Sequence, residues 1–281
     1  MRFSREAQIR PRPARIANGM VVTALFESWR QQRRIISALF MRDIVGRWGR
    51  ENFGFAWLFL EPLVFILPVL FMWRTMRGPI EHGLPLIALL WSGYVPLLMF
   101  RHVTMHALRL ISSDVTLLYH RIVTPLDLFI GRCGLEALGN ITSLVTSFIV
   151  LHAVGALPLP YDYPLLLTGV FFMAWWTLSV AMIVTALSER FDLVVHIWAP
   201  ISYIYLPVSG AFYLAEWIPT GARNLALTFI PPLHSHEMIR AGLFGSQIKA
   251  YYDVSYLSYF LLIFTAIGLW LMRHVRKHLD F

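Results

Sequence analysis

The chain has 281 residues, 57% of them hydrophobic and only 14% charged, with a mean hydropathy of +0.60. Soluble domains carry about 25% charged residues, so this chain has too little polar surface to cover a water-soluble globule, and a soluble enzyme or binding module is excluded. The net charge is +8 and only Lys249 and Lys277 are lysines; eleven arginines stand before Glu51, beside the first apolar segment, which points to an anionic membrane surface and not to nucleic acid.

In chain order, residues 1–20 are basic and broken by Pro11 and Pro13, with no apolar stretch of signal-peptide type before Phe53. Over residues 21–48, Val22, Phe26, Trp29, Ile36, Phe40, Ile44 and Trp48 recur at helical spacing, but five arginines interrupt them. A segment so charged cannot span a bilayer. It reads as an amphipathic interfacial helix, or as a helix packed on a partner.

Six segments have the roughly 20 mostly apolar residues that a crossing requires. They run over about 53–73, 84–100, 135–157, 164–187, 193–212 and 254–272. The predicted class is an all-α integral membrane protein. Its parts are an N-terminal tail with interfacial helix (1–52), a membrane domain (53–272) and a basic tail (273–281). With the N-terminus inside, nineteen basic residues fall on the inner side and five on the outer, which predicts cytoplasmic termini. Arg74 and Arg77 are the local exception.

Two connections are unusual. Between the second and third spans, Ser112, Ser113 and Asp114 form a helix-start cluster before an amphipathic turn, and Thr124-Pro125 restarts a helix with threonine as N-cap and proline at the first helical position. Between the fifth and sixth spans, two apolar pieces, 220–229 and 233–243, are separated by Pro231-Pro232. Each is too short to cross, which suggests a re-entrant helical hairpin on the outer side, or an extracellular loop with helical content.

Chemistry is sparse. A phosphate-binding loop ends in lysine followed by Ser or Thr; Lys249 precedes Ala250 and Lys277 precedes His278, so neither can complete one. No catalytic residue set and no metal site is predicted: His234 and His236 lack a third ligand, and Cys133 is the sole cysteine. Glu61, inside the first span, is either functional or a partner for an interfacial arginine. Arg132 and Glu136, four apart, can neutralise each other. Trp57 and Trp73 stand at the two ends of span one, as belt residues do. Tyr203, Tyr205, Phe212, Tyr213 and Trp217 cluster along and beyond span five, as core packing or as a sugar conduit.

Three stretches carry a resemblance: Ala38-Leu39-Phe40-Met41-Arg42-Asp43 with Gly54, Trp57 and Glu61-Pro62-Leu63; Pro207-Val208-Ser209-Gly210-Ala211-Phe212 with Trp217-Ile218-Pro219; and Ile230-Pro231-Pro232-Leu233 through Glu237 to Arg240-Ala241-Gly242-Leu243. The chain resembles type 2 ABC transporter permeases that export polysaccharides, most closely the inner-membrane permease of Gram-negative capsule exporters. Pro231 stands where an asparagine is more usual. The resemblance implies a homodimer in the bacterial inner membrane, with no cofactor of its own. ATP and Mg would be bound by two copies of a separate cytoplasmic ATPase subunit. A periplasmic co-polymerase and an outer-membrane channel would continue the path of an acidic, lipid-linked polysaccharide. O-antigen or teichoic-acid permeases and type 2 drug or lipid exporters are the alternatives. On that basis the conduit residues are Tyr203, Tyr205, Phe212, Tyr213, Trp217, Trp57 and Trp73; Arg74, Arg77 and Arg240 form an outer charged rim; and Ser112, Asp114, Leu117, Leu118 and Arg121 contact the ATPase.

Overall fold

The computed structural model describes residues 15–48, 54–116 and 123–278. Helix α1 (Arg15–Trp48) is followed by α2 (Gly54–Arg77) and by a short antiparallel hairpin, β1 (Ile80–Glu81) and β2 (Leu84–Pro85). His82 and Gly83 at its tip both have positive φ, the conformation that a two-residue hairpin turn demands. Then come α3 (Leu86–His106), the single turn α4 (Leu110–Ser113), α5 (Pro125–Ala153), α6 (Tyr163–Arg190), α7 (Asp192–Val208), α8 (Thr220–Phe229), α9 (Pro231–Phe244) and α10 (Val254–His278).

The protein is all-α in class, and four of the described helices are long and apolar enough to cross a membrane: Leu86–His106, Pro125–Ala153, Tyr163–Arg190 and Val254–Val275. The 24-residue α2 coincides with the first predicted span. The side chains of Trp57 and Glu61 within it lie outside the described residues. Helix α7, the fifth predicted span, has 17 residues and contains Pro200 and Pro207.

Caps explain where helices and predicted segments part. Helix α5 starts ten residues before the apolar run because Thr124 accepts from the Asp127 N–H while the Asp127 carboxylate accepts from the Thr124 N–H, a reciprocal capping box with Pro125 next in line. Helix α6 starts at Tyr163, capped by Asp162, whose carboxylate accepts from the Leu165 N–H at 3.0 Å. Helix α7 stops at Val208, short of the predicted 212, because Gly210 turns left-handed (φ 87°).

The connections sort into two ends. At one, the ring of His82 lies 4.4 Å from that of Trp217, and the Asp162 N–H donates to the Gly242 carbonyl at 2.8 Å, so the β-hairpin, the α5–α6 loop and the α7–α10 segment gather there. At the other, Arg109 pairs with Asp192 at 2.7 Å, and His274 of α10 shares a groove with Arg190. Helix α1 joins this second end: Gln32 donates to Asp127 at 3.0 Å, and buried Leu39 packs over Gly131.

Candidate functional site

Helix α9 is the most deeply enclosed of the described elements: every residue except Ala241 is buried. It fits against α6 through two glycines. A Cβ on Gly169 would meet the Ile239 backbone nitrogen at 2.8 Å, and one on Gly242 would meet the Leu166 backbone nitrogen at 2.5 Å. Short polar spacing then places two charges inside. Glu237 and Arg240 are one turn apart on α9, both fully buried, 3.9 Å from each other. The guanidinium donates to the carbonyls of Gly210 (2.9 Å), Ala211 (2.6 Å) and Tyr213 (2.5 Å), which are left unpaired where α7 ends. The carboxylate accepts from the Ala215 N–H and the Tyr251 N–H, each at 3.0 Å. Burial pushes the Glu237 carboxyl up and draws the Arg240 guanidinium down, each shift opposed by the other charge. The pair ties the α7 exit and the approach to α10 onto α9. Arg240 is therefore no part of an exposed rim, as the sequence reading had it: burial and three carbonyl partners make it a strut.

The predicted aromatics separate into groups. Trp73 stacks on Phe212 (5.4 Å, 8° between planes), Tyr94 lies 6.1 Å from Phe212, and Trp217 sits against His82, so α2, α3 and the α7 exit share an aromatic cluster at this end. Tyr213 closes the turn by donating from its hydroxyl to the Val208 carbonyl. Tyr203 and Tyr205, two residues apart on one helix, face differently. Tyr205 packs on Phe100 of α3 at 5.1 Å, whereas Tyr203 is 53% exposed, with the Arg101 guanidinium 3.7 Å above its ring. Arg77 lies over Trp73 and pairs with Glu81 at 2.7 Å, while Arg74 is exposed.

At the opposite end, the Ser112–Asp114 cluster stands between two helical pieces: it ends α4, and Val115 and Thr116 directly after it are helical again. The N-terminal amides of α4 are capped by Glu189: Ile111 and Ser112 donate to its carboxylate at 2.8 and 3.0 Å. Asp114 pairs with Arg42 of α1 at 3.2 Å and with Arg132 of α5 at 3.6 Å, and Arg132 also donates to Ser113. Glu136 lies 3.6 Å from His106. Leu117, Leu118 and Arg121 lie outside the described residues. Both nitrogens of His234 are engaged by backbone, Nε2 donating to Leu227 and Nδ1 accepting from Asp253.

The sequence names Glu237 only within a family-like stretch, with no role, and does not single out Glu189 at all. Only the one-turn spacing of Glu237 from Arg240 hinted at the first, and nothing local marked the second, since its amide partners are more than seventy residues away.

Long apolar helices, two polar ends and charges spent on holding segments together define a polytopic membrane protein. No family model matches the chain. It is 34% identical over 258 residues to the capsule polysaccharide export inner-membrane protein BexB of Haemophilus influenzae, covering 92% of this chain and 97% of that one. The same identity and coverage relate it to the capsule polysaccharide export inner-membrane protein CtrC of Neisseria meningitidis serogroup B. The polysialic acid transport protein KpsM of Escherichia coli is more distant, 24% identical over 253 residues, covering 86% and 93% of the two chains. The chain belongs to the family of capsule polysaccharide export inner-membrane proteins.

Proposed function

We propose that this protein is the membrane subunit that carries capsular polysaccharide across the bacterial inner membrane, a transport subunit and not an enzyme. The observation that carries this reading is the 34% identity to BexB and CtrC over nearly the whole of both chains. The architecture agrees with it. Six passes, counting α2 and α7, leave the N-terminal helix, α4 and the end of α10 on one side. Arg101, Arg109, Arg132, Arg190 and Arg273 are on that side too, which supports cytoplasmic termini. Helices α8 and α9 form the re-entrant element on the outer side.

Transport is driven by ATP and Mg on two copies of a separate ATPase, which contact α1 and the 112–121 segment. Two protomers assemble with α2 and α7 around the path. Both helices present apolar stripes to their surroundings: Val64, Leu67 and Phe71 on one, Leu193, Ile197, Ile201, Ile204 and Val208 on the other. Tyr203 and the Trp73–Phe212 cluster line the path, where ring faces hold sugars weakly enough for a polymer to slide. A periplasmic co-polymerase and an outer-membrane channel receive it. The test is deletion of the gene in its native host: surface polysaccharide should vanish and accumulate inside, and this chain supplied in trans should restore it. Unchanged surface polysaccharide in the deletion strain refutes the reading.

A further inference from the structure

Between α8, α9 and the start of α10 the fold leaves an open cleft of about 470 Å³, within the range of about 300–1,000 Å³ typical of small-molecule sites. Three of its lining residues are tyrosines, Tyr251, Tyr252 and Tyr256, and Asn224, Thr228, His234 and Asp253 line the same space. Interfacial belt tyrosines are spread around a protein's perimeter; these three converge on one polar hollow.

The walls are set by bonds that leave the floor free. The Tyr256 hydroxyl donates to the Thr228 carbonyl, locking α10 to α8. The Asp253 carboxylate accepts from the Tyr256 N–H through one oxygen only. Tyr251 is covered by a cation, the Arg223 guanidinium lying 4.0 Å above its ring, with the Lys249 ammonium at 5.6 Å. Tyr252 differs: it is 39% exposed, and no ring or cation stacks on it among the described residues. The Asn224 side chain and the second Asp253 oxygen likewise have no hydrogen-bond partner among the described residues. The cleft thus offers one open aromatic face, an amide and a carboxylate oxygen beside it, and two cations at its margin.

We propose that this cleft is a binding subsite for one acidic sugar unit, with the C–H face of a pyranose on Tyr252, its hydroxyls on Asn224 and Asp253, and its acid group toward Arg223 and Lys249. A neutral sugar would satisfy the ring and the amide but not the cations, and a phosphate head group would satisfy the cations but not the ring. The assignment rests on the export reading above. It adds a stop on the outer side, off the α2–α7 path, where a leaving chain is held against slipping back.

The probe is a hyaluronan tetrasaccharide, with neutral chitotetraose and glycerol 3-phosphate as controls, added to the full-length chain in nanodiscs and read by saturation-transfer NMR. The acidic tetrasaccharide should take up saturation more strongly than either control. Tyr252→Ala should weaken its binding about fivefold, Tyr252→Phe should keep it, and Arg223→Gln should bring the acidic and neutral probes level. Equal transfer to all three probes with the unaltered chain, no transfer at all, or full binding by Tyr252→Ala overturns the proposal. In cells, Tyr252→Ala combined with Asn224→Ala should lower surface polysaccharide at unchanged membrane abundance. If gene deletion abolishes surface polysaccharide but the pocket variants bind and export normally, the pocket assignment alone falls. If deletion changes nothing, the export reading falls and this ligand with it.

Discussion

Arg240 shows how a charge can serve the fold from inside it. Its guanidinium takes three carbonyls that no helix can satisfy, and Glu237 balances the charge. Removing one partner of a buried pair leaves the other charge uncompensated, a loss of about 3–5 kcal/mol. Arg240→Met is therefore expected to lower the unfolding temperature of the purified protein sharply. Arg240→Lys should fall between the two, because an ammonium keeps the charge but cannot present the planar fork to three acceptors. A thermal melt in detergent followed by intrinsic fluorescence measures both; an Arg240→Met melt matching that of the unaltered chain would contradict the strut assignment. The charge at position 240 is plain from sequence, and its placement on the outer rim followed from counting charges by loop. Its burial depends on α9 sinking against α3 and α6, a contact no local pattern records.

Helix contacts divide the glycines into two kinds. Gly93 of α3 leaves no room: a Cβ there would collide with the Ala211 carbonyl oxygen and press on the Arg240 guanidinium. Gly221, in α8, has nothing within 4 Å of the same position. Gly93→Ala should destabilise by about 1–3 kcal/mol through overpacking, while Gly221→Ala should stabilise by up to about 1 kcal/mol through helix propensity. Opposite signs in the same melting assay are the expected result. The α4 turn makes a second prediction. Two of its first three amides, those of Ile111 and Ser112, depend on Glu189, so Glu189→Ala should cost about 1 kcal/mol locally and speed hydrogen exchange at residues 110–113 without altering exchange in α9. Element existence was legible from apolar runs, and the Thr124-Pro125 start could be read from two residues. The Glu189 cap on α4 could not, because its carboxylate is brought in by α6 from far along the chain.

For the whole molecule, the two-ended arrangement predicts where reagents reach. Cys133 is fully buried, so it should stay silent in labelling experiments. Ser246→Cys should react with a membrane-impermeant maleimide in intact spheroplasts, and Thr116→Cys only after permeabilisation; the reverse pattern would invert the topology. If α7 meets its counterpart across a dimer, Ile201→Cys should yield cross-linked dimers under mild oxidation, while Ile267→Cys on the exposed face of α10 should remain monomeric. Cross-linking at 267 alone would move the dimer contact to α10.

The membrane class, the all-α architecture, the positions of most long helices and the family likeness were settled by sequence alone. The bilayer imposes a one-dimensional rule: a backbone crossing it must bond to itself, and apolar length is read directly along the chain. Tertiary structure decided which ionisable and aromatic residues are spent on packing and which stay available. Arg240 and Tyr205 turned inward, whereas Tyr203 and Tyr252 kept an open face. That division depends on how α9 seats against α6 at Gly169 and Gly242, which is a matter of shape between segments some seventy residues apart. A sequence pattern reports which faces are apolar. It does not report which neighbour will cover them.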